Sequence, residues 1–109
     1  MEQLSRITAA TIDVLTVLDA PGDPVWGLVV IKQSDRPAGS VYPILERLEA
    51  AGWVTSKWEE DDTRPGPRRR YYELTDEGGA AAARSIADFA AKQRAAATGA
   101  PALARVVTA

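Results

Sequence analysis

Apolar residues recur at helical spacing through the first twenty positions. Leu4, Ile7, Val14 and Leu18 form the series with Thr11, and Ile12 and Leu15 widen it. This predicts a helix from Leu4 to about Ala20 with one broad apolar side. Pro21-Gly22-Asp23-Pro24 stops it, because proline cannot continue the hydrogen-bond ladder and glycine favours a turn. Val25 to about Gln33 is short and almost wholly apolar, so periodicity alone does not separate helix from strand; it is read as a second helix. After the break and capping candidates at Ser34-Asp35-Arg36-Pro37, Val41, Ile44, Leu45 and Leu48 mark a third helix at about 38–52. Pro43 lies close to its start, where a missing amide hydrogen costs least.

Trp53–Glu59 and Arg69–Leu74 are rich in β-branched and aromatic residues and flank an acidic, Gly/Pro-containing stretch, which predicts two antiparallel strands at about 53–74. Thr75-Asp76-Glu77 offers a cap and first-turn acids to an alanine-rich helix at 75–98. Gly99-Ala100-Pro101 is expected to break it, leaving 99–109 as a tail. The fold class is therefore mainly α with a two-stranded β-hairpin. Helix, helix, helix, hairpin, helix is the order of a winged helix-turn-helix (1–78) followed by a long C-terminal helix.

The 109 residues suffice for one core and one site-bearing module. Neither a membrane-spanning run nor a leader peptide is visible, so a cytoplasmic location is expected. Cysteine and histidine are both absent, which removes disulfide and thiol chemistry, the commonest metal ligand and the usual acid-base catalyst. With no P-loop and no dinucleotide fingerprint, no enzyme, metal or cofactor is expected. The acidic run Glu59-Glu60-Asp61-Asp62 matches no recognised cation-binding loop. The net charge of -2 weighs mildly against nucleic acid, but Arg64, Arg68, Arg69 and Arg70 crowd one segment, so a basic patch can coexist with a negative total.

Two separated stretches carry a resemblance. Gly39-Ser40-Val41-Tyr42-Pro43-Ile44-Leu45-Glu46-Arg47-Leu48-Glu49-Ala50-Ala51-Gly52-Trp53-Val54 is followed by Gly66-Pro67-Arg68-Arg69-Arg70-Tyr71-Tyr72-Glu73-Leu74-Thr75-Asp76-Glu77-Gly78. Together they resemble the PadR family of bacterial transcriptional regulators, in the Tyr-Pro of the recognition helix, its Leu-x-Arg-Leu-Glu-x-x-Gly exit and the basic Tyr-Tyr-x-Leu-Thr-x-x-Gly wing. The single last helix is similar to the shorter PadR subfamily, whose members dimerise through their first and last helices. Trp26-Gly27-Leu28 stands where the family commonly has Tyr-Gly-Tyr.

The resemblance implies a homodimeric regulator, working as a repressor, that binds a double-stranded DNA operator. Burial of Val41, Ile44, Leu45 and Leu48 leaves Ser40, Pro43 and Arg47 near one outward line. Arg47 can read guanine or pair with a neighbouring glutamate, while Ser40 and Tyr42 suit phosphate, with Tyr42 alternatively a core aromatic. Arg68, Arg69 and Arg70 can reach phosphates or a narrow minor groove, or pair with Glu59–Asp62. Strand alternation places Arg70, Tyr72 and Leu74 on one face and Arg69 and Tyr71 on the other. Leu4, Ile7, Thr11, Val14, Ile86 and Phe89 are the expected dimer contacts, against the alternative of packing on their own domain. Some PadR-like proteins bind planar aromatic compounds at the dimer interface, so a small aromatic effector is a further partner to consider. Here Trp26, Trp53 and Trp58 are read as core. The competing function is a winged-helix module that binds protein without specific DNA recognition.

Overall fold

The computed structural model describes residues 1–60 and 63–108. Its elements are α1 (Ala9–Asp19), β1 (Val25–Trp26), α2 (Gly27–Ser34), α3 (Ala38–Ala50), β2 (Val54–Trp58), β3 (Arg70–Leu74) and α4 (Asp76–Thr108). The expected winged-helix order is present, with a small addition. Val25 and Trp26 pair antiparallel with Tyr72 and Tyr71, so the hairpin becomes a three-stranded sheet in the order β1-β3-β2. A strand of two residues leaves no alternation to read, and its pairing partner lies far along the chain.

The first helix begins later than its apolar series suggests. Thr8 caps it: the Thr8 hydroxyl accepts the Thr11 amide N–H at 3.2 Å. Leu4 and Ile7 therefore precede the helix. The segment before it is tied to the end of α3, where the Glu2 amide donates to the Ala51 carbonyl (2.8 Å) and the Trp53 indole N–H donates to the Glu2 carbonyl (2.7 Å). Leu4 still packs against the core, but from a non-helical segment.

The core lies between α1, α2, α3, the inner face of the sheet and the start of α4. Val14, Leu15, Val30, Val41, Leu45 and Leu48 are fully buried, as is the large ring of Trp53. Of the residues expected at a dimer interface, Thr11 is 4% exposed and Val14 0%, so both belong to the chain's own core. The reason is geometric: α1 packs against α2, α3 and α4 at once, and both edges of its broad stripe are used internally. Ile86 and Phe89 are half-buried against the same core, while Ile7 is exposed.

The hairpin is fastened to α4 by Thr75. Its amide donates to the Trp53 carbonyl (2.9 Å), its hydroxyl donates to the Gly52 carbonyl (2.9 Å) and accepts the Gly78 amide (2.9 Å), closing the expected cap. Gly52, at φ +83°, supplies the left-handed turn between α3 and β2. The last helix does not end at residue 98 as its Gly99-Ala100-Pro101 sequence suggested. It is 33 residues long and continues to Thr108. A proline removes one helical hydrogen bond and bends the axis, while flanking alanines have the highest helix propensity. Pro43 behaves similarly: it lies in the second turn of α3, beyond the amides that lack partners, yet the helix runs through it.

Candidate nucleic-acid interface

The third helix turns Val41, Ile44, Leu45 and Leu48 into the core, and its other side is open. Pro43, Glu46 and Arg47 are exposed, Ser40 is half-buried and Tyr42 is 42% exposed. Arg47 leans towards the segment that precedes α1, sharing a shallow depression with Leu4, Ser5 and Arg6. Tyr42 turns the other way, towards the wing. Its ring packs on Gly27, where an added Cβ would lie 3.2 Å from Tyr42 Cε1 and 3.4 Å from Tyr72 Cε1. The small residue of the Trp-Gly pair thus lets α2 begin directly against two tyrosines.

A cleft of about 450 Å³ separates α3 from the wing. Tyr42, Glu46 and Glu49 of the helix form one wall, Trp58, Arg68, Arg70 and Tyr72 of the hairpin the other, with Trp26 and Gly27 at the end. Burial raises the Tyr72 hydroxyl's pKa, against the opposing pull of the Arg70 charge. Trp58, read as core from the sequence, is 52% exposed here. It ends β2 opposite Arg70, beyond the helices that cover the rest of the sheet. Trp53 is fully buried as expected and Trp26 is half-buried.

The three consecutive arginines have different surroundings. Arg70 lies in the cleft, donating to Glu49 Oε1 (3.2 Å) and to Ser56 Oγ (2.8 and 3.0 Å), while Ser56 donates to Glu49 Oε2 (2.5 Å). Its guanidinium carbon is 5.2 Å from the Trp58 ring centre and 5.9 Å from that of Tyr72. The third helix and the hairpin are thereby tied together. Arg69 points to the opposite sheet face, as alternation requires, and stacks on Trp26 at 4.1 Å. Its Nε is buried without a hydrogen-bond partner among the described residues. Arg68 is exposed and donates to the Glu59 backbone carbonyl (2.9 Å).

The base of the wing loop is organised by Glu59. Arg64 grips its carboxylate at 2.7 and 2.8 Å, and the Arg69 amide adds a third bond at 3.1 Å. The Arg64 hydrogen bonds are the chief cause that lowers its pKa to about 2. Asp61 and Asp62, the rest of the acidic run, lie outside the described residues. Sequence reasoning brought forward the arginines and missed Glu46, Glu49 and Ser56. The spacing of Glu46 from the buried row would have revealed it as outward-facing, but no local signal pairs Glu49 with Arg70, 21 residues away.

Residues 14–84 match the profile of the transcriptional regulator PadR-like family. No curated protein gives a match. Among solved structures, the chain is similar to a protein from Ralstonia eutropha JMP134, at 28% identity over 74% of this chain and 99% of that one, with a TM-score of 0.59. A PadR family transcription regulator from Clostridium difficile R20291 shares 26% identity over 76% and 91% of the two chains (TM-score 0.58). The fold alone is shared with Staphylococcus aureus MepR, solved as a DNA complex, at 20% identity over 94% and 80% (TM-score 0.62).

Proposed function

The chain belongs to the PadR-like family of transcriptional regulators, and from that premise we propose that it is a sequence-specific, dimeric DNA-binding repressor of the cytoplasm. Residues 1–78 form its DNA-binding domain. The observation that carries this reading is the common opening of α3 and the wing around one cleft, which presents a helix for the major groove beside a hairpin for the backbone. Arg47 contributes guanine recognition, Ser40 and Tyr42 meet the backbone around the helix start, Pro43 lies on the outward line of α3 that faces the groove, and Arg68 is the wing arginine best placed to reach a phosphate. Arg69 and Arg70 add positive potential from positions held by Trp26 and by Glu49.

The dimer contact uses Leu4, Ile7, Ile86 and Phe89 with the outer face of α4, where residues 91–97 are all exposed. Alanine dominates that stretch, and small side chains permit close helix approach. Two subunits related by a twofold axis then place their third helices about one DNA turn apart, on a pseudo-palindromic site.

Fluorescence anisotropy with a duplex from the chain's own upstream region, against scrambled duplex and at several salt concentrations, tests the reading. Tighter binding to the upstream duplex with a steep salt slope supports it. Weak binding that is equal for both and insensitive to salt overturns it in favour of protein recognition.

A further inference from the structure

The centre of the exposed side of α3 is nearly bare. Successive helical residues turn by about 100°, so the positions opposite Val41, Ile44, Leu45 and Leu48 are Gly39, Pro43, Glu46 and Ala50, and all four are exposed. Gly39 has open space where a side chain would be. Ser40, Tyr42 and Arg47 flank this line on either side. Among the four central residues only Glu46 carries a hydrogen-bonding side chain, and it acts from a surface otherwise small enough to approach base edges closely.

Glu46 has no ion pair or hydrogen bond among the described residues. No cation stands one helical turn away, since the neighbours at three and four residues are Tyr42, Pro43, Glu49 and Ala50. Across the cleft, Arg70 is held by Glu49 and Ser56, and Arg68 directs one N–H to the Glu59 carbonyl, so neither pairs with Glu46. An unpaired carboxylate on a surface that meets phosphates weakens binding to every sequence alike. A donor on a base edge offsets that cost. In the major groove the amino donors are cytosine N4 and adenine N6, and adenine places the N7 acceptor beside its amino group, where it repels a second carboxylate oxygen.

Resting on the DNA-binding reading above, we propose that Glu46 is a specificity-determining residue that accepts a hydrogen bond from cytosine N4, fixing one C·G pair in each half-site. It makes the recognition helix a two-signed reader, with Arg47 directed to guanine and Glu46 to cytosine.

The test is selection from randomised duplexes followed by sequencing, run in parallel on the wild-type chain and on Glu46→Ala and Glu46→Gln, with thermal melts to confirm equal stability. The wild type should select one invariant C·G pair per half-site. Glu46→Ala should lose discrimination at that pair alone, by roughly tenfold, while binding unselected DNA as tightly as the wild type or more so. Glu46→Gln should move the preference towards adenine, which glutamine reads through N6 and N7. Retention of the same cytosine preference by Glu46→Ala overturns the proposal and leaves the regulator reading standing. A wild-type chain that selects no sequence overturns both.

Discussion

Gly78 lies directly against the backbone carbonyl of Trp53, so close that a Cβ on residue 78 would fall well inside van der Waals distance of that oxygen. The contact is backbone to backbone, at the junction where Thr75 fastens the hairpin to α4. Neither side can yield by rotating a side chain. Gly78→Ala should therefore destabilise the fold by about 3 kcal/mol or more, lowering Tm by over ten degrees on the scale of about 4–8 °C per kcal/mol for a small domain. Gly79, one residue on, has open space for a side chain, and Gly79→Ala should melt at or above the wild-type temperature.

Removal of wing arginines should separate charge from architecture. Arg68→Ala should leave Tm unchanged and reduce the salt slope of DNA binding by roughly one unit. Arg70→Ala should in addition lower stability, by roughly 0.5–1 kcal/mol given that Arg70 and Glu49 are each about one-third exposed. Paired melting and salt titrations distinguish the two.

Arg47 stands on the opposite flank of α3 from the wing. Arg47→Ala should relax preference at a single guanine by about 1–3 kcal/mol and leave affinity for scrambled duplex nearly unchanged. Competition binding with single-base operator variants measures both quantities.

Acid should loosen the wing in a defined window. Glu59 titrates near pH 2 in the fold against an ordinary 4.5, so the unfolded chain binds the proton first as pH falls. Its contribution is complete above pH 4.5 and disappears progressively towards pH 2. Hydrogen exchange at the Arg69 amide, which donates to this carboxylate, should accelerate across that range. In Glu59→Gln the acceleration should be absent and the amide should be less protected at neutral pH.

Periodic features were legible from the sequence wherever one side of an element meets the core. Val41, Ile44, Leu45 and Leu48 are buried as a row, Arg70 and Arg69 fall on opposite sheet faces, and Thr75 caps α4. Three of the misreadings share a physical cause, because each depended on a partner distant in sequence. Leu4 mimics a helical position while packing from a non-helical segment, and Val25–Trp26 become a strand only through Tyr71 and Tyr72. Thr11 and Val14 carry the pattern of an outward stripe, but α1 packs against α2, α3 and α4 at once and buries both inside the subunit. In the candidate interface the residue types were readable but their commitments were not. Arg68, Arg69 and Arg70 meet a backbone carbonyl, a tryptophan ring and a carboxylate respectively, and only the assembled fold distinguishes them.

The central place of β3 bears on how this wing could be exchanged between proteins. Tyr71 and Tyr72 are paired on one side with Lys57 and Ser56 and on the other with Trp26 and Val25. The root of the wing therefore belongs partly to the strand that leads into α2. A transplant cut at Val54 and Leu74 would carry the hairpin but abandon the pairing of Tyr71 and Tyr72 with Trp26 and Val25. The smallest exchangeable unit is discontinuous, residues 54–74 together with 25–26, and a chimera that respects it inherits the donor's wing orientation as well as its arginines.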